Sequence, residues 1–129
     1  MDIKELQKRI LEEKKRSGTV ILAHTYQSPD IIEIADEAGD SYALAQAAKK
    51  YENKRVVVCG VRFMAETVKI LSPEKDVVLP VSGATCPMAE QISPERVAEF
   101  KKENPETAVV AYVNTTAALK AECDVCVTS

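Results

Sequence analysis

Five short apolar runs, separated by segments with helical periodicity, constrain the fold of this chain more than any other feature. The runs are rich in valine and do not alternate with polar residues, a pattern typical of strands buried on both faces. Strands that alternate with helices indicate parallel connections. We therefore predict an α/β protein, a three-layer αβα sandwich built on one parallel sheet. The predicted strands are Thr19–Ala23, Arg55–Cys59, Asp76–Leu79, Ala108–Val113 and Asp124–Val127.

Capping residues bound the predicted helices. Gly18 ends the first helix, and the pair Ser28–Pro29 opens a second helix that is expected to run to Gly39. The remaining predicted helices cover residues 41–51, 64–71, 94–103 and 116–122. The sequence shows no internal repeat and no linker. Its length suits one α/β domain over residues 1–129, and its end directly after a strand favours a fragment of a longer protein.

Composition excludes several classes of partner. The net charge is -3 and no block of basic residues is present, so nucleic acid is not an expected partner. No apolar run approaches the roughly 20 residues that span a bilayer. The amino-terminal residues form a charged amphipathic segment rather than a signal peptide. We therefore expect a cytoplasmic protein with no membrane partner.

Polar or reactive residues follow every predicted strand. In a parallel sheet these strand ends share one edge, which is where open α/β sheets bind ligands. We therefore predict a polar, thiol-containing site at this edge, although His24 could also be a loop histidine bonded to a neighbour. Neither a dinucleotide-binding glycine motif nor a nucleotide-binding lysine loop is present. The residues after the strands are His24 and Tyr26, Gly60 to Met64, Gly83 to Cys86, Tyr112 and Asn114, and Thr128 and Ser129.

The four cysteines differ in their surroundings. Cys59 closes an apolar run and is interpreted as a small buried side chain. Cys123 and Cys126 form a C-x-x-C pair, but residues three apart on a strand point to opposite faces, which disfavours joint metal or redox chemistry. Cys86 lies in a loop of small residues that allows close approach to a bulky group.

Several of these motifs together resemble the quinolinate synthase family in order and spacing, from about Ile3 onward. Thr25 departs from the family, which usually has a larger or amide side chain there. The family is also much longer, with three similar α/β domains around a central site, so the chain resembles the first domain plus the start of the second. The motifs are residues 23–27, 39–41, 59–67, Cys86, 112–115 and 127–129.

The resemblance implies a reaction and a cofactor. Members condense iminoaspartate with dihydroxyacetone phosphate to quinolinate for NAD biosynthesis, with loss of phosphate and water. They hold a [4Fe–4S] cluster through three cysteines, one from each domain, and its fourth iron acts as a Lewis acid. Cys86 matches the first-domain ligand, and the other two ligands are expected outside this chain. An oxidase or dehydrogenase that supplies iminoaspartate is the expected protein partner, and the isolated chain is expected to be inactive.

The resemblance also implies roles for individual residues. His24 and Ser41 match residues that hold substrate carboxylates, and Ser129 matches a phosphate or carboxylate donor. Tyr26 matches an acid–base group. Tyr112 and Asn114 match residues that close over and orient the substrate, with Tyr112 also in a catalytic role. Met64 matches a residue that lines the cavity, with helix packing as the alternative.

Two other classes of protein remain open at this stage. A free-standing α/β domain that binds a small anion would explain the polar edge but not the Cys86 loop. A dithiol redox protein would use Cys123 and Cys126 instead.

Overall fold

Two parallel sheets, rather than the single sheet that the apolar runs predict, organise the chain. The computed structural model describes residues 2–128. The larger sheet has the strand order β2-β1-β3-β4, the smaller sheet pairs β5 with β6, and every pairing is parallel. The strands are β1 (Val20–His24), β2 (Glu37–Gly39), β3 (Arg55–Cys59), β4 (Asp76–Val78), β5 (Val110–Tyr112) and β6 (Val125–Val127).

Helices lie on both sides of the larger sheet, which confirms the predicted three-layer α/β architecture. They are α1 (Ile3–Ser17), α2 (Pro29–Ile32), α3 (Ser41–Lys50), α4 (Arg62–Leu71), α5 (Pro94–Glu103) and α6 (Ala117–Glu122), with a 3₁₀ turn at Pro87–Glu90. Side-chain oxygens start several of them: Asp40 accepts from the Ala43 amide and Ser93 accepts from the Arg96 amide. Gly18 ends α1 with a φ of 65°, a left-handed conformation that favours glycine.

The core lies between the larger sheet and the helix pair α3 and α4. Alternate strand residues face these helices, and Leu22, Val56 and Val58 are fully buried there. Leu44 of α3 and Val68 of α4 complete the contact. Each such side chain contributes about 1.5–3 kcal/mol when buried. On the opposite face, Leu6 and Ile10 of α1 line a shallow groove with Ile21.

The segment between β1 and α3 differs from its prediction. A helix was expected from Ser28 to Gly39, but α2 ends at Ile32 and the chain then extends into β2. The physical reason lies at Asp36, whose amide donates to the Ile21 carbonyl over 2.8 Å. The same aspartate accepts the Ile21 amide through Oδ2, also at 2.8 Å. These two bonds turn the chain away from the helix and align it beside β1.

The strand pair β1–β2 and the strand pair β5–β6 have the same pattern of parallel pairing, so the expectation that the chain has no internal repeat is wrong. We call the repeat that contains β1 and β2 the first unit and the repeat that contains β5 and β6 the second unit. In the first unit, Leu22 pairs with Glu37 and His24 pairs with Gly39. In the second unit, Val110 pairs with Val125 and Tyr112 pairs with Val127. One constant difference in residue number relates the two registers. It also relates His24 to Tyr112, Tyr26 to Asn114 and Asp36 to Asp124.

The same lysine–aspartate contact closes both units. Lys14 at the end of α1 donates to the Ile34 carbonyl and to Asp36 Oδ1, over 3.0 and 2.9 Å. Lys101 near the end of α5 donates to the Glu122 carbonyl and to Asp124 Oδ1, over 3.1 and 3.0 Å. This repeat escaped the sequence analysis because a few polar positions carry it, rather than a long run of similar residues.

Hydrogen bonding also favours the charged form of the second aspartate. The Val109 amide, and then the Lys101 ammonium, lower the pKa of Asp124 below its usual value. A carboxyl group whose folded pKa is lowered stabilises the fold above its unfolded pKa. That stabilisation is lost as the pH falls through the folded pKa.

Within residues 2–128, no helix combines the length and the apolar character that crossing a membrane requires.

We predict that Asp36→Ala lowers the free energy of unfolding of the chain by about 1–3 kcal/mol, because it leaves the Ile21 amide of a buried strand without its acceptor. Asp76→Ala is the matched control, since Asp76 joins Arg55 in an ion pair whose side chains are about half exposed. Loss of that pair costs less than about 1 kcal/mol. Urea denaturation measures both values, and equal losses would contradict the role given to Asp36.

Candidate functional site

The carboxyl edge of the larger sheet gathers three of the predicted loops. Strands β1, β3 and β4 run parallel in one sheet, so the loops that follow them leave from the same side. These loops begin at His24, at Gly60 and before Cys86. This part of the predicted convergence is confirmed. The loops after β5 and β6 leave from the second sheet, so one continuous sheet edge does not account for Tyr112 and Asn114.

His24 ends β1 and is held through one ring nitrogen. The Tyr26 amide donates to Nδ1 of His24 over 3.1 Å, and the two rings meet edge to face with centroids 4.6 Å apart. Because Nδ1 accepts this bond, the neutral ring carries its proton on Nε2. His24 therefore offers an Nε2–H donor at the sheet edge. The Tyr26 side chain is 91% exposed.

Ser41 lies close behind His24 because of the register of β2. Gly39 is the direct partner of His24, and Asp40 and Ser41 follow it as the N-cap and first residue of α3. Ser41 is 7% exposed, and it lies at the start of α3, where the Asp40 carboxylate already accepts the Ala43 amide. The edge thus combines an imidazole donor with a helix start.

Gly60 and Met64 fit together behind His24. A Cβ atom at Gly60 would lie 2.6 Å from Met64 Sδ and 3.8 Å from the Cβ of His24. A larger residue at position 60 would require the flexible Met64 side chain to move. Met64 is itself a buried member of the core. It therefore packs in the core with its sulfur towards the sheet edge, and its proposed role in lining a cavity stays a prediction.

The Cys86 loop is anchored by α4. The Arg62 amide donates to the Ala84 carbonyl, and Arg62 Nη2 donates to the Ser82 carbonyl, both over 2.8 Å. Cys86 then starts the 3₁₀ turn at Pro87–Glu90 and is half-buried against the core. Sequence reasoning missed the role of Arg62, although the residue lies inside a motif that it singled out.

The other cysteines are less suited to metal or redox chemistry. Burial raises the pKa of the Cys59 thiol, and mainly burial raises that of Cys123, so both favour the protonated form at neutral pH. Cys123 was expected to lie on a strand, but it is the C-cap of α6. Its Sγ donates to the Leu119 carbonyl over 3.1 Å. Cys126 is exposed on β6. This arrangement disfavours the dithiol alternative.

Tyr112 and Asn114 lie together in the second unit. Asn114 Nδ2 donates to the Tyr112 hydroxyl over 3.1 Å; Tyr112 ends β5, and Asn114 lies in the loop that follows it. Ser129 lies outside the described residues. Two hydrogen bonds join this loop to the first unit, from Thr115 to the Ala89 carbonyl and from the Ala117 amide to Glu66. Sequence reasoning singled out the motifs that contain Glu66 and Thr115 but missed these contacts, because nothing in their spacing indicates a partner so distant along the chain.

The edge offers an imidazole and a serine hydroxyl as donors, and the Cys86 loop leaves from the same side of the sheet. Within residues 2–128, no three His, Cys, Asp or Glu side chains lie together as ligands of a metal ion. The structure thus defines a parallel α/β protein with polar loops on one side of its larger sheet.

Comparison with known proteins gives the family. The family model described as Quinolinate synthetase A protein matches residues 8–129. The quinolinate synthase of Clostridioides difficile (strain 630) is 52% identical over 126 residues, which cover 98% of this chain and 41% of that protein. The Aquifex aeolicus enzyme is 49% identical over 128 residues, 99% of this chain and 40% of that protein. The Thermus thermophilus enzyme is 50% identical over 124 residues, which cover 96% of this chain and 40% of that protein.

The chain belongs to the quinolinate synthase family, which confirms the resemblance drawn from its motifs. It spans about two fifths of the length of the curated relatives it matches.

We predict that the neutral ring of His24 is the Nε2–H tautomer, because Nδ1 accepts the Tyr26 amide. Long-range ¹H–¹⁵N NMR of the labelled chain, above the usual histidine pKa, measures this directly. The chain contains one histidine, so the signals need no assignment. Tyr26→Phe is the control, since it keeps the amide and should keep the tautomer. A dominant Nδ1–H form would show that the Tyr26 amide bond is absent in solution.

Proposed function

We propose that this chain is part of a quinolinate synthase that condenses iminoaspartate with dihydroxyacetone phosphate to quinolinate, a step of NAD biosynthesis. The observation that carries the proposal is the meeting of His24, the start of α3 and the Cys86 loop at one edge of the larger sheet. Family membership supports the reaction. We propose a single α/β domain over residues 1–129, as the first domain and the opening of the second.

The cofactor is proposed as a [4Fe–4S] cluster with Cys86 as one of three ligands. The donor chemistry of the chain fits this role, because Cys86 stands on an anchored loop that leaves from the same side of the sheet as His24. A cluster needs three or four thiolates, so the other two ligands would come from outside this chain. When bound, the cluster supplies Lewis acidity towards a substrate oxygen.

The residues of this chain have complementary roles in the proposal. His24 donates a hydrogen bond from Nε2 to a substrate carboxylate, and the Ser41 hydroxyl, at the start of α3, holds the same carboxylate. Tyr26, exposed at the edge, exchanges a proton with the substrate. Tyr112 and Asn114 orient the substrate, and Ser129 donates to a phosphate or carboxylate. Met64 supports His24 from below and lines the cavity.

The proposal extends to partners and location. An oxidase or dehydrogenase that forms iminoaspartate would supply the first substrate. A cytoplasmic location, with neither nucleic acid nor membrane as partner, suits the net charge of -3 and the family.

The first test concerns the metal ligand in a full-length enzyme that carries this segment. Cys86→Ser should remove nearly all cluster iron, since a hydroxyl is a much poorer iron ligand than a thiolate. Cys126→Ala is the matched control and should keep the iron content of the parent. Iron and sulfide assays with visible absorption, under anaerobic conditions, measure both. Retention of iron in Cys86→Ser with loss in Cys126→Ala would contradict the assignment.

The second test concerns the anion site. His24→Ala should weaken quinolinate binding about tenfold to a hundredfold, because removing one donor from a desolvated carboxylate costs about 1.5–3 kcal/mol. His24→Gln should keep most of the affinity, since its amide nitrogen can donate from near the Nε2 position. Anaerobic calorimetry on the full-length proteins gives the affinities. Unchanged binding in His24→Ala would remove His24 from the site.

Quinolinate formation by the full-length enzyme decides between the proposed reaction and the alternatives. A protein that binds the anion, holds no cluster and forms no quinolinate would be a binding domain instead.

A further inference from the structure

Glu66 connects the first unit to the loop that carries Tyr112 and Asn114. It lies on α4, and its Oε2 accepts the Ala117 amide over 3.1 Å, across 51 positions of sequence. Ala117 is the first residue of α6, and the preceding Thr116 accepts the Leu119 amide through its hydroxyl. Thr116 and Glu66 thus satisfy two of the amides that the start of a helix leaves free.

A second bond reinforces this connection. Thr115 is 5% exposed, and its Oγ1 donates to the Ala89 carbonyl over 3.2 Å. Ala89 belongs to the 3₁₀ turn that Cys86 starts. The loop from Tyr112 to Thr116, here called the second-unit loop, is therefore tied both to α4 and to the turn after Cys86.

The internal repeat shows that the Glu66 contact is particular to the second unit. The position of the first unit that corresponds to Ala117 is Pro29, which opens α2. Proline has no amide hydrogen, so the start of α2 has no donor for an equivalent carboxylate at that position. The second unit has Ala117 at this position, and the Glu66 carboxylate accepts a hydrogen bond from its amide.

Two residues of α4, about one helical turn apart, hold the two loops. Arg62, at its start, binds two carbonyls of the Cys86 loop. Glu66, four positions later, binds the start of α6. Residues four apart lie on the same side of a helix, so one rigid element sets the separation of the two loops.

We propose that Glu66 is a positioning residue, which fixes the second-unit loop with Tyr112 and Asn114 relative to the Cys86 loop. Its consequence for catalysis rests on the proposed function, whereas its structural role does not. Glu66 itself contacts no substrate group in this proposal. It acts through the Ala117 amide and the loop that precedes it.

The structural role is tested in the chain itself by amide hydrogen exchange and ¹H–¹⁵N NMR. In Glu66→Ala the Ala117 amide should exchange about five- to tenfold faster than in the parent, as expected for the loss of one hydrogen bond. The Tyr112 and Asn114 signals should shift with it. Glu66→Gln keeps an acceptor oxygen and should restore slow exchange and the parent signals.

Glu95→Ala is the matched control, since Glu95 is an exposed glutamate in the first turn of α5. It should change neither the Ala117 exchange nor the Tyr112 signal. If Glu66→Ala fails to fold, Thr115→Val replaces it, because it removes the other tie and should shift the same two loop signals. Unchanged Ala117 exchange in a folded Glu66→Ala chain would overturn the proposal.

The catalytic consequence is tested in the full-length enzyme with its cluster. Glu66→Ala should lower kcat/KM at least tenfold while the iron content stays at the parent level, and Glu66→Gln should recover most of the activity. Unchanged kcat/KM in Glu66→Ala, or no recovery in Glu66→Gln, would overturn the positioning role. If the parent forms no quinolinate, the proposed function fails, and the exchange measurement still decides the role of Glu66.

Discussion

One carboxylate in each unit determines which residues meet at the functional edge. Asp36 binds both the amide and the carbonyl of Ile21, and Asp124 binds those of Val109 in the same way. Each aspartate starts the pairing of a short outer strand with its central strand. From there the register runs without a gap to His24 opposite Gly39, and to Tyr112 opposite Val127. The positions of Ser41 relative to His24, and of Tyr112 relative to β6, therefore depend on these contacts.

The buried packing behind the edge keeps its side chains in place. His24 ends β1 beside Gly60, where a Cβ atom would lie 3.8 Å from the Cβ of His24. Its ring is oriented by the Tyr26 amide. A main-chain hydrogen bond therefore sets the direction of the Nε2 donor. In the proposed function, a donor held in this way would meet an anion with little reorganisation, which is the condition for strong electrostatic stabilisation.

The sequence predicts the central strands and the first-unit edge well, because long valine-rich runs and capping residues are local signals. It fails at β2, whose residues Glu37–Gly39 include no β-branched or aromatic side chain. That strand exists because Asp36 pairs with β1, a contact distant in sequence. The division into two sheets was missed for a related reason, since an apolar run does not indicate which neighbour it pairs with.

The candidate site shows the same limit. His24, Tyr26 and Cys86 follow strands and are found from position alone, whereas Arg62, Glu66 and Thr115 act through backbone groups of other segments. A hydrogen bond to a backbone carbonyl or amide selects no particular partner residue. Such contacts leave little pattern in a single sequence, and only coordinates reveal them.

The repeat explains how one architecture supplies different chemistry at corresponding places. His24 and Tyr112 end equivalent strands, and Tyr26 and Asn114 follow at equivalent positions. The two units share the same backbone register. A different residue at an edge position therefore changes the chemical group that is presented there, while the backbone position stays the same. A slip of one residue between β1 and β2 would instead turn every side chain of β2 to the other face and carry Ser41 away from His24. The aspartate contacts that prevent this slip are therefore as necessary to the anion site as the donors themselves.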